Sequence, residues 1–236
     1  MSDLAVNVAG VVKSFPAGDT RTYALKGATL DARFGELMMI VGPSGCGKTT
    51  LLSVICGTLH CEEGTLAIFG RDLRRMKDAQ ITRFRCGNVG FIFQQFNLIP
   101  TLTAVENVSV PLVLNGVSHA QSRHRAGEVL AEVGLGDKLH SYPSQLSGGQ
   151  LQRVAISRAL VHEPRLIICD EPTASLDAAS GQKTLELLKS SALRPDRCVI
   201  VVTHDNRIYH FADRIAEMED GRVIGIYDDP KDYHHA

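Results

Sequence analysis

Two patterns of apolar and polar positions alternate along this chain. Apolar runs of four or five residues occur at 37–41, 166–169 and 198–202, and such runs are typical of central parallel strands covered on both faces. Apolar residues at helical spacing lie between these runs and predict helices. The predicted helices span 104–115, 120–133, 149–160 and 178–191. Strands that alternate with helices predict an α/β fold with a mostly parallel sheet.

Weaker patterns predict the remaining strands. The segments 4–12, 25–33 and 64–70 alternate apolar with polar or small residues, which is typical of strands with one buried face. Near the other end of the chain, Ile215 and Val223 mark two short apolar segments. We expect these two segments to form edge strands of the sheet.

The region 78–160 has a different character, because helical patterns dominate it. Pro111 lies inside one of the predicted helices and is expected to bend or split it. We interpret the region as a helical subdomain inserted into the α/β core. The expected organisation is one domain over 4–227, followed by a short tail over 228–236.

Composition narrows the class of partner. The formal net charge is −1. The chain therefore lacks the positive charge that would favour nucleic acid or an acidic membrane surface as its main partner. No apolar run approaches the ~20 residues that span a bilayer. The first ten residues, MSDLAVNVAG, lack the basic and apolar regions of a signal peptide. We therefore expect a cytosolic protein, in which the six cysteines are free thiols.

The segment GPSGCGKT at 42–49 follows the apolar run 37–41 and precedes a helical pattern. This is the phosphate-loop pattern in the strand–loop–helix setting that it requires. Glycines allow the backbone to surround a phosphate closely, and the N–H groups at the start of a helix attract an anion. Lys48 is expected to reach the outer phosphates, and the hydroxyl of Thr49 is expected to bind Mg²⁺. The sequence thus predicts a binding site for a nucleoside triphosphate.

Further polar groups follow the predicted strands. Asp170 and Glu171 come directly after the run 166–169, where one acid can hold Mg²⁺ and the next can polarise a water molecule. The run 198–202 ends in Thr203-His204-Asp205. Because ligands of open α/β sheets bind outside the carboxyl ends of strands, we expect these groups at one edge. A second candidate anion site is LSGGQ at 146–150; by itself this segment is equally compatible with a plain helix start capped by Ser147.

These motifs, in this order, resemble the nucleotide-binding subunit of an ABC transporter over about residues 4–227. GPSGCGKT resembles the Walker A loop, LSGGQ the signature, and 166–170 the Walker B strand. Gln94 resembles the Q-loop glutamine, with Gln95 beside it as the alternative. The segment Ser175-Leu176-Asp177 resembles the D-loop, and His204 the switch histidine.

The resemblance implies a P-loop NTPase core with an N-terminal antiparallel β subdomain and an inserted helical signature subdomain. It implies ATP and Mg²⁺ as cofactors, with Phe15 stacking on adenine and Tyr23 as the alternative. Implied nucleotide-binding residues are Phe15, Gly42, Pro43, Ser44, Gly45, Cys46, Gly47, Lys48, Thr49, Thr50, Ser147, Gly148, Gly149 and Gln150. Implied catalytic residues are Glu171, His204, Gln94 and Lys48, and implied metal-binding residues are Thr49, Gln94 and Asp170.

For partners, the resemblance implies a head-to-tail dimer with two shared ATP sites and an integral membrane permease, and no nucleic acid. The protein is then cytoplasmic and peripheral on the inner membrane. The segments 90–108 and 146–160 are most similar to the branch that serves lipoprotein release, macrolide export and cyanobacterial glycolipid export. The implied activity is ATP hydrolysis that powers export or extraction of a lipid-like, lipoprotein or drug substrate.

Three other classes share parts of this pattern. A DNA-repair ATPase of the SMC type needs a long coiled-coil insertion between Walker A and the signature, and here about a hundred residues separate them. A translation factor of the ABC type carries two such domains in tandem, whereas one phosphate loop occurs here. A regulatory ATPase that acts on a non-transporting membrane partner, as in cell-division control, stays open as the alternative function.

Overall fold

The computed structural model describes residues 4–18, 20–174 and 178–233, which form two sheets and a layer of helices. The strands are β1 (Leu4–Ala17), β2 (Thr20–Arg33), β3 (Leu37–Val41), β4 (Glu63–Ile68), β5 (Arg71–Asp72), β6 (Val89–Ile92), β7 (Leu166–Asp170), β8 (Cys198–Val202), β9 (Arg214–Glu219) and β10 (Arg222–Tyr227). The α-helices are α1 (Lys48–Ile55), α2 (Asp78–Asn88), α3 (Ala104–Leu114), α4 (His119–Glu132), α5 (Gly148–Leu160) and α6 (Ala178–Ala192). Short 3₁₀ helices span Leu73–Arg75, Pro143–Gln145, Asn206–Phe211 and Pro230–Asp232.

The larger sheet has six strands in the order β10-β9-β3-β8-β7-β6. Strands β9, β3, β8, β7 and β6 run parallel, and β10 pairs antiparallel with β9. The second sheet is antiparallel and has the order β2-β1-β4-β5. The structure therefore has the mostly parallel α/β sheet and the N-terminal antiparallel sheet that were expected.

One strand prediction is wrong, because β9 is not an edge strand. It lies between β3 and β10 and pairs in parallel with β3, with Met39 opposite Ile215. Ile215, Ala216 and Met218 are completely buried, whereas Ile224 of β10 is exposed. A strand that is buried on both faces is typical of the interior of a sheet. At this end of the sheet, β10 is the edge strand.

The buried strand β3 divides the core into two parts. Successive side chains of a strand point to opposite faces. Met38 and Ile40 accordingly pack with α1 and the antiparallel sheet. Met39 and Val41 face the opposite side and pack in the cluster that includes α5 and α6 residues. All five residues of β3 are buried, which accounts for its continuous apolar sequence.

The helices α3, α4 and α5 build a third cluster of their own, in which Val108, Leu130 and Val154 are fully buried. Within the region 78–160, by contrast, Phe84 of α2 packs into the core and β6 pairs with β7. The separate helical layer thus consists of α3–α5. Pro111 lies inside α3, which continues to Leu114, so the proline does not split the helix.

Helix α5 belongs to both the helical layer and the core. Its Val154 lies in the cluster of the helical layer, whereas Ile156 and Ala159 pack against the face of the larger sheet. Within the described part of the chain, no helix combines the length and the apolar character needed to cross a membrane.

Candidate functional site

The loop between β3 and α1 requires glycine at two positions. Gly42 has φ 143°, and a Cβ there would lie 2.1 Å from the carbonyl oxygen of Met218. Gly47 has φ 107°, and a Cβ there would lie 2.4 Å from the carbonyl oxygen of Ala24. Both conformations are unfavourable for L side chains, and both contacts are with backbone that cannot move away cheaply. The glycines therefore let the loop turn tightly between two neighbouring strands and open directly into α1.

Lys48 places its charge inside this loop. Its side chain is largely buried, and Nζ donates to the carbonyl oxygens of Gly42 and Pro43, each at 2.8 Å. Nζ also lies 3.8 Å from Sγ of Cys46. The Cys46 side chain packs in the apolar core and is only 6% exposed, so it does not line the open side of the loop. The loop thus combines a helix N-terminus with a fixed ammonium group, which is an anion-binding arrangement.

A cavity of about 330 Å³ opens at the carboxyl edge of the parallel strands. It is lined by Ala24, Ser44, Gly45, Gly47, Lys48, Thr49, Thr50, Gln94, Asp170, Glu171 and His204. Apart from Ala24 of β2, these residues end β7 or follow β3, β6, β7 and β8. The structure therefore brings together groups that are up to 180 positions apart in the sequence, at the edge where an open α/β sheet binds its ligands. Ala24 was missed by the sequence reasoning, because alanine carries no chemical signal.

Thr49 and Asp170 place side-chain oxygen atoms in the cavity. The hydroxyl of Thr49 donates to Oδ1 of Asp170 at 3.3 Å. Burial raises the pKa of Asp170, and the charge of Glu171 adds to this, while the Thr49 hydrogen bond and Lys48 act in the opposite direction. A cation beside the carboxylate would offset the cost of burying its charge.

These two oxygens fit Mg²⁺. The ion is usually held by one or two protein oxygens together with substrate phosphates and water, rather than by a complete protein cage. Residues 4–18, 20–174 and 178–233 contain no group of three or more His, Cys, Asp or Glu side chains arranged to hold a metal.

Glu171 and His204 form a hydrogen-bonded pair. Nδ1 of His204 lies 2.7 Å from Oε1 of Glu171, and the glutamate side chain is 13% exposed. The backbone of Glu171 has φ 49°, and its N–H donates to the carbonyl oxygen of Val202 at 2.9 Å. Non-glycine residues held in this conformation are uncommon and cluster at functional sites. The pairing aims a carboxylate into the cavity, where it can accept a proton from water.

The signature segment lies apart from this cavity. Ser147 is exposed and caps α5, because its hydroxyl accepts from the N–H of Gln150 while Gln150 Oε1 accepts from the N–H of Ser147 at 2.8 Å. None of Ser147, Gly148, Gly149 and Gln150 lines the 330 Å³ cavity. The two candidate anion sites of the sequence are thus separate within one chain.

Some predicted residues have other positions. Phe15 is 38% exposed on β1, with Nζ of Lys13 5.5 Å from the ring centroid, and Tyr23 is 48% exposed on β2. Neither ring lines the cavity. Gly42 and Pro43 contribute carbonyl oxygens to Lys48 instead of lining the cavity. The predicted D-loop at 175–177 lies outside the described residues.

Comparison with known proteins identifies the family of this chain. A family model described as ABC transporter matches residues 25–174. An ABC transporter ATP-binding protein of Mycobacterium tuberculosis is 43% identical over 92% of this chain, and a counterpart in Methanocaldococcus jannaschii is 42% identical over 94%. The chain spans 65% of the length of the first relative and 98% of the second. The macrolide export ATP-binding/permease protein MacB of Vibrio parahaemolyticus is 42% identical over 95% of this chain, which covers 34% of MacB.

Among solved structures, the dimeric post-hydrolysis state of the ATP-binding cassette MJ0796, bound to ADP and Pi, matches with a TM-score of 0.86. The matched regions are 40% identical in sequence and cover 94% of this chain and 97% of the MJ0796 chain. The predicted fold class and the resemblance drawn from the motifs are confirmed. The chain belongs to the ABC transporter family and is an ATPase domain of that family.

Proposed function

We propose that this chain powers a membrane transporter by hydrolysing ATP between two copies of the ATPase domain arranged head to tail. The transporter exports or extracts a lipid-like, lipoprotein or drug substrate. The MacB relative, named a macrolide export ATP-binding/permease protein, supports the export direction. The dimeric MJ0796 cassettes support the paired arrangement.

The observation that carries this proposal is the separation of the two anion sites on one chain. The phosphate loop opens into the 330 Å³ cavity, whereas Ser147 and the start of α5 lie outside it and are exposed. A signature that lies outside the phosphate cavity of its own chain is free to face that of a second chain. Head-to-tail pairing then completes two nucleotide sites at once.

Within each site the residues have distinct roles. Lys48 neutralises the outer phosphates, and the N–H groups at the start of α1 bind the inner ones. Glu171 accepts the proton of the attacking water, while His204 orients the carboxylate from the end of β8 and contacts the outer phosphate. Thr49 and Asp170 would hold Mg²⁺, joined by Gln94, and the ion would neutralise charge on the phosphates.

Phe15 is proposed to stack on the adenine ring. It lies on β1 outside the phosphate cavity, and 38% of the side chain is exposed. An exposed aromatic ring gives the base a flat apolar surface at low cost in side-chain entropy. Tyr23 on the paired strand stays the alternative.

The membrane partner is proposed to dock on the helical layer. An apolar cavity of about 390 Å³ lies between the core, at Val89 and Phe91, and the helical layer, at Pro111 and Leu114. A second apolar cavity of about 660 Å³ lies between α3 and α4, and Leu114 lines both. We assign this surface to a permease segment, because the MacB relative carries the words ATP-binding and permease in one name, on a chain about three times as long as the part matched here.

The substitution Glu171→Gln tests the proposal. The amide keeps the shape of the side chain but cannot act as a base, so phosphate release should fall by about 10²–10⁴-fold. ATP binding should survive, because the phosphate loop and the signature are unchanged. Loss of a negative charge beside the outer phosphate should also stabilise the closed pair. Size-exclusion chromatography with ATP should then show a dimer that wild-type protein forms weakly.

Glu132→Gln is the matched control, because Glu132 is exposed at the end of α4 and does not line the cavity. It should hydrolyse ATP and elute as wild-type protein does. If the Glu171→Gln protein binds ATP and stays monomeric, the paired mechanism is wrong. If it keeps wild-type turnover, Glu171 is not the catalytic base.

A further inference from the structure

Helix α5 contacts both segments that carry the proposed hydrolysis residues. Near its start, Nε2 of Gln152 donates to the carbonyl oxygen of Pro172 at 3.0 Å, next to Glu171 in the sequence. In its last turn, Arg158 donates from Nη1 to the carbonyl oxygen of Asn97 at 2.7 Å and from Nη2 to that of Phe96 at 2.8 Å. The second contact falls two residues after Gln94. One helix thus connects the signature to both loops of the cavity.

The loop that Arg158 holds has an unusual backbone. Phe96 has φ 58° and Asn97 has φ 46°. Asparagine tolerates this conformation, but a bulky phenylalanine does not adopt it without support from its surroundings. The planar guanidinium donates to two successive carbonyl oxygens at once, a fixed geometry that a lysine cannot reproduce. Arg158 therefore holds two residues of the loop in their positive-φ conformation.

The environment of Arg158 strengthens this contact. The side chain is half-buried, and burial lowers its pKa. Within the described part of the chain, its guanidinium donates to these two carbonyl oxygens. Hydrogen bonds from a charged group gain strength when water is partly excluded. The guanidinium is therefore expected to stay on the loop when α5 moves.

A backbone contact beside Arg158 leaves little freedom for independent movement of the loop. A Cβ at Gly90 of β6 would lie 2.2 Å from the carbonyl oxygen of Ala159, so strand and helix are in direct backbone contact there. Gln94 follows β6 by two residues. The loop is consequently fixed at one end by the sheet and at the other by Arg158.

We propose that Arg158 is a positioning residue that couples the signature helix α5 to the loop carrying Gln94. When the signature engages nucleotide on a partner chain, α5 tilts about its contact with the sheet at Ala159, and Arg158 passes this tilt to the carbonyl oxygens of Phe96 and Asn97. Gln94 is thereby placed toward the outer phosphate and Mg²⁺. This inference rests on the proposed function, because it assigns a coupling role within that ATP site.

The experiment compares Arg158→Met, Arg158→Lys and the control Arg125→Met in the full chain. Methionine keeps much of the apolar stem but cannot donate. Arg125 also joins two segments, since it pairs with Glu128 and with Glu163, but it does not touch the loop. Phosphate release gives kcat and KM, and titration with a fluorescent ATP analogue gives affinity. Hydrogen exchange reports the protection of peptides over 93–99, and thermal unfolding reports the fold.

In Arg158→Met we expect kcat to fall by between about 10- and 100-fold, as for a small misplacement of a catalytic group. The affinity for the ATP analogue should change by less than about threefold, because the phosphate loop is untouched. Exchange over 93–99 should rise by about fivefold or more, while peptides of β3, β7 and β8 stay protected. Arg158→Lys should recover part of kcat and of the protection, and Arg125→Met should match wild-type protein.

Two results would overturn the inference. One is a folded Arg158→Met protein with kcat and loop exchange within about twofold of wild type. The other is a uniform loss of protection, affinity and thermal stability, which would make Arg158 a structural residue only. If wild-type protein releases no phosphate, the proposed function fails, and the exchange of 93–99 in the three variants still decides whether Arg158 holds the loop.

Discussion

At the scale of single residues, the ammonium group of Lys48 is held in place by the phosphate loop itself. Its ammonium group has two carbonyl acceptors in the loop, at Gly42 and Pro43. Phosphate oxygens carry full negative charge and form stronger hydrogen bonds with an ammonium group than carbonyl oxygens do. Replacement of these carbonyl acceptors by phosphate oxygens therefore favours nucleotide binding. The positive charge is already at the site before the nucleotide binds.

Replacement of Lys48 by alanine should abolish most of the activity. Loss of one preorganised cation at the site of developing charge is expected to lower turnover by about 10²–10³-fold. Nucleotide binding should weaken as well, because the bound phosphates lose their cationic partner. Phosphate release and titration with a fluorescent nucleotide measure the two effects.

Lys26→Ala provides the matched control for this prediction. Lys26 pairs with Asp220 on the surface, and exposed ion pairs contribute little to stability. The control should retain turnover and affinity. Wild-type turnover in Lys48→Ala would contradict the assignment of the phosphate loop.

Much of the site could be predicted at this scale because its residues carry recognisable chemistry. Lys48, Asp170 and His204 follow strands whose ends meet at one edge, so their approach follows from the strand pattern. The positive φ of Glu171 could not be predicted, since it depends on the hydrogen bond from its N–H to Val202. The inward packing of Cys46 was equally hidden, because a loop sequence does not specify which side chains face the core.

At the scale of elements, the start of α5 has a structural role that the sequence already allowed. Ser147 and Gln150 satisfy each other's backbone N–H groups in a capping box. The same exposed N-terminus is the proposed contact with the partner's outer phosphate. The two roles are separable, because capping needs only a small oxygen-bearing side chain, whereas phosphate contact also needs open space.

Ser147→Arg should block hydrolysis while leaving the phosphate loop of the same chain intact. The large cation would occupy the phosphate site of the partner, and turnover should fall to background. Mixing this variant with Lys48→Ala pairs an intact loop with an intact signature, so at most one composite site of two should recover. Phosphate release by the single variants and by their mixture measures this.

Ser147→Ala separates the lost cap from the blocked site. Removal of a cap costs about 1 kcal/mol of stability, so Ser147→Ala should show a slightly lower melting temperature. It should lose less turnover than Ser147→Arg, because it places no cation in the partner's phosphate site. Full activity in Ser147→Arg alone would mean that LSGGQ serves only as a helix start.

The sequence predicted strands correctly where the apolar pattern was strong. It failed where the neighbouring strands determine the position of a strand in the sheet. The strands β3 and β8 have the predicted bounds, because five consecutive buried positions leave no ambiguity. The position of β9 was wrong because its six residues resemble an edge strand until the burial of both faces is known. The strand β6 was not distinguished within 78–160, because four residues are too short to show a period.

At the scale of the whole molecule, the nucleotide cavity and the apolar surface of the helical layer are joined by the loop that carries Gln94. Phe93 lies beside Gln94 in the sequence, is 36% exposed, and lines the 390 Å³ cavity. Its ring lies 4.2 Å from that of Phe91, measured between centroids. A partner that binds this cavity therefore contacts the residue next to a proposed metal ligand. Such contact offers a short route between ATP hydrolysis and movement of a membrane subunit.

Leu114→Glu tests this surface directly. Leu114 is 68% exposed at the end of α3 and lines both apolar cavities, so a carboxylate there places a charge where an apolar partner would pack. Burying an unpaired charge is strongly unfavourable, and the chain should be lost from the membrane fraction of its source cells. Ile224→Glu is the control, because Ile224 is 55% exposed on β10, outside both cavities. The control should sediment with membranes as wild-type protein does. Equal membrane association of Leu114→Glu and wild type would place the permease contact elsewhere, whereas loss in both variants would indicate a general effect of added charge.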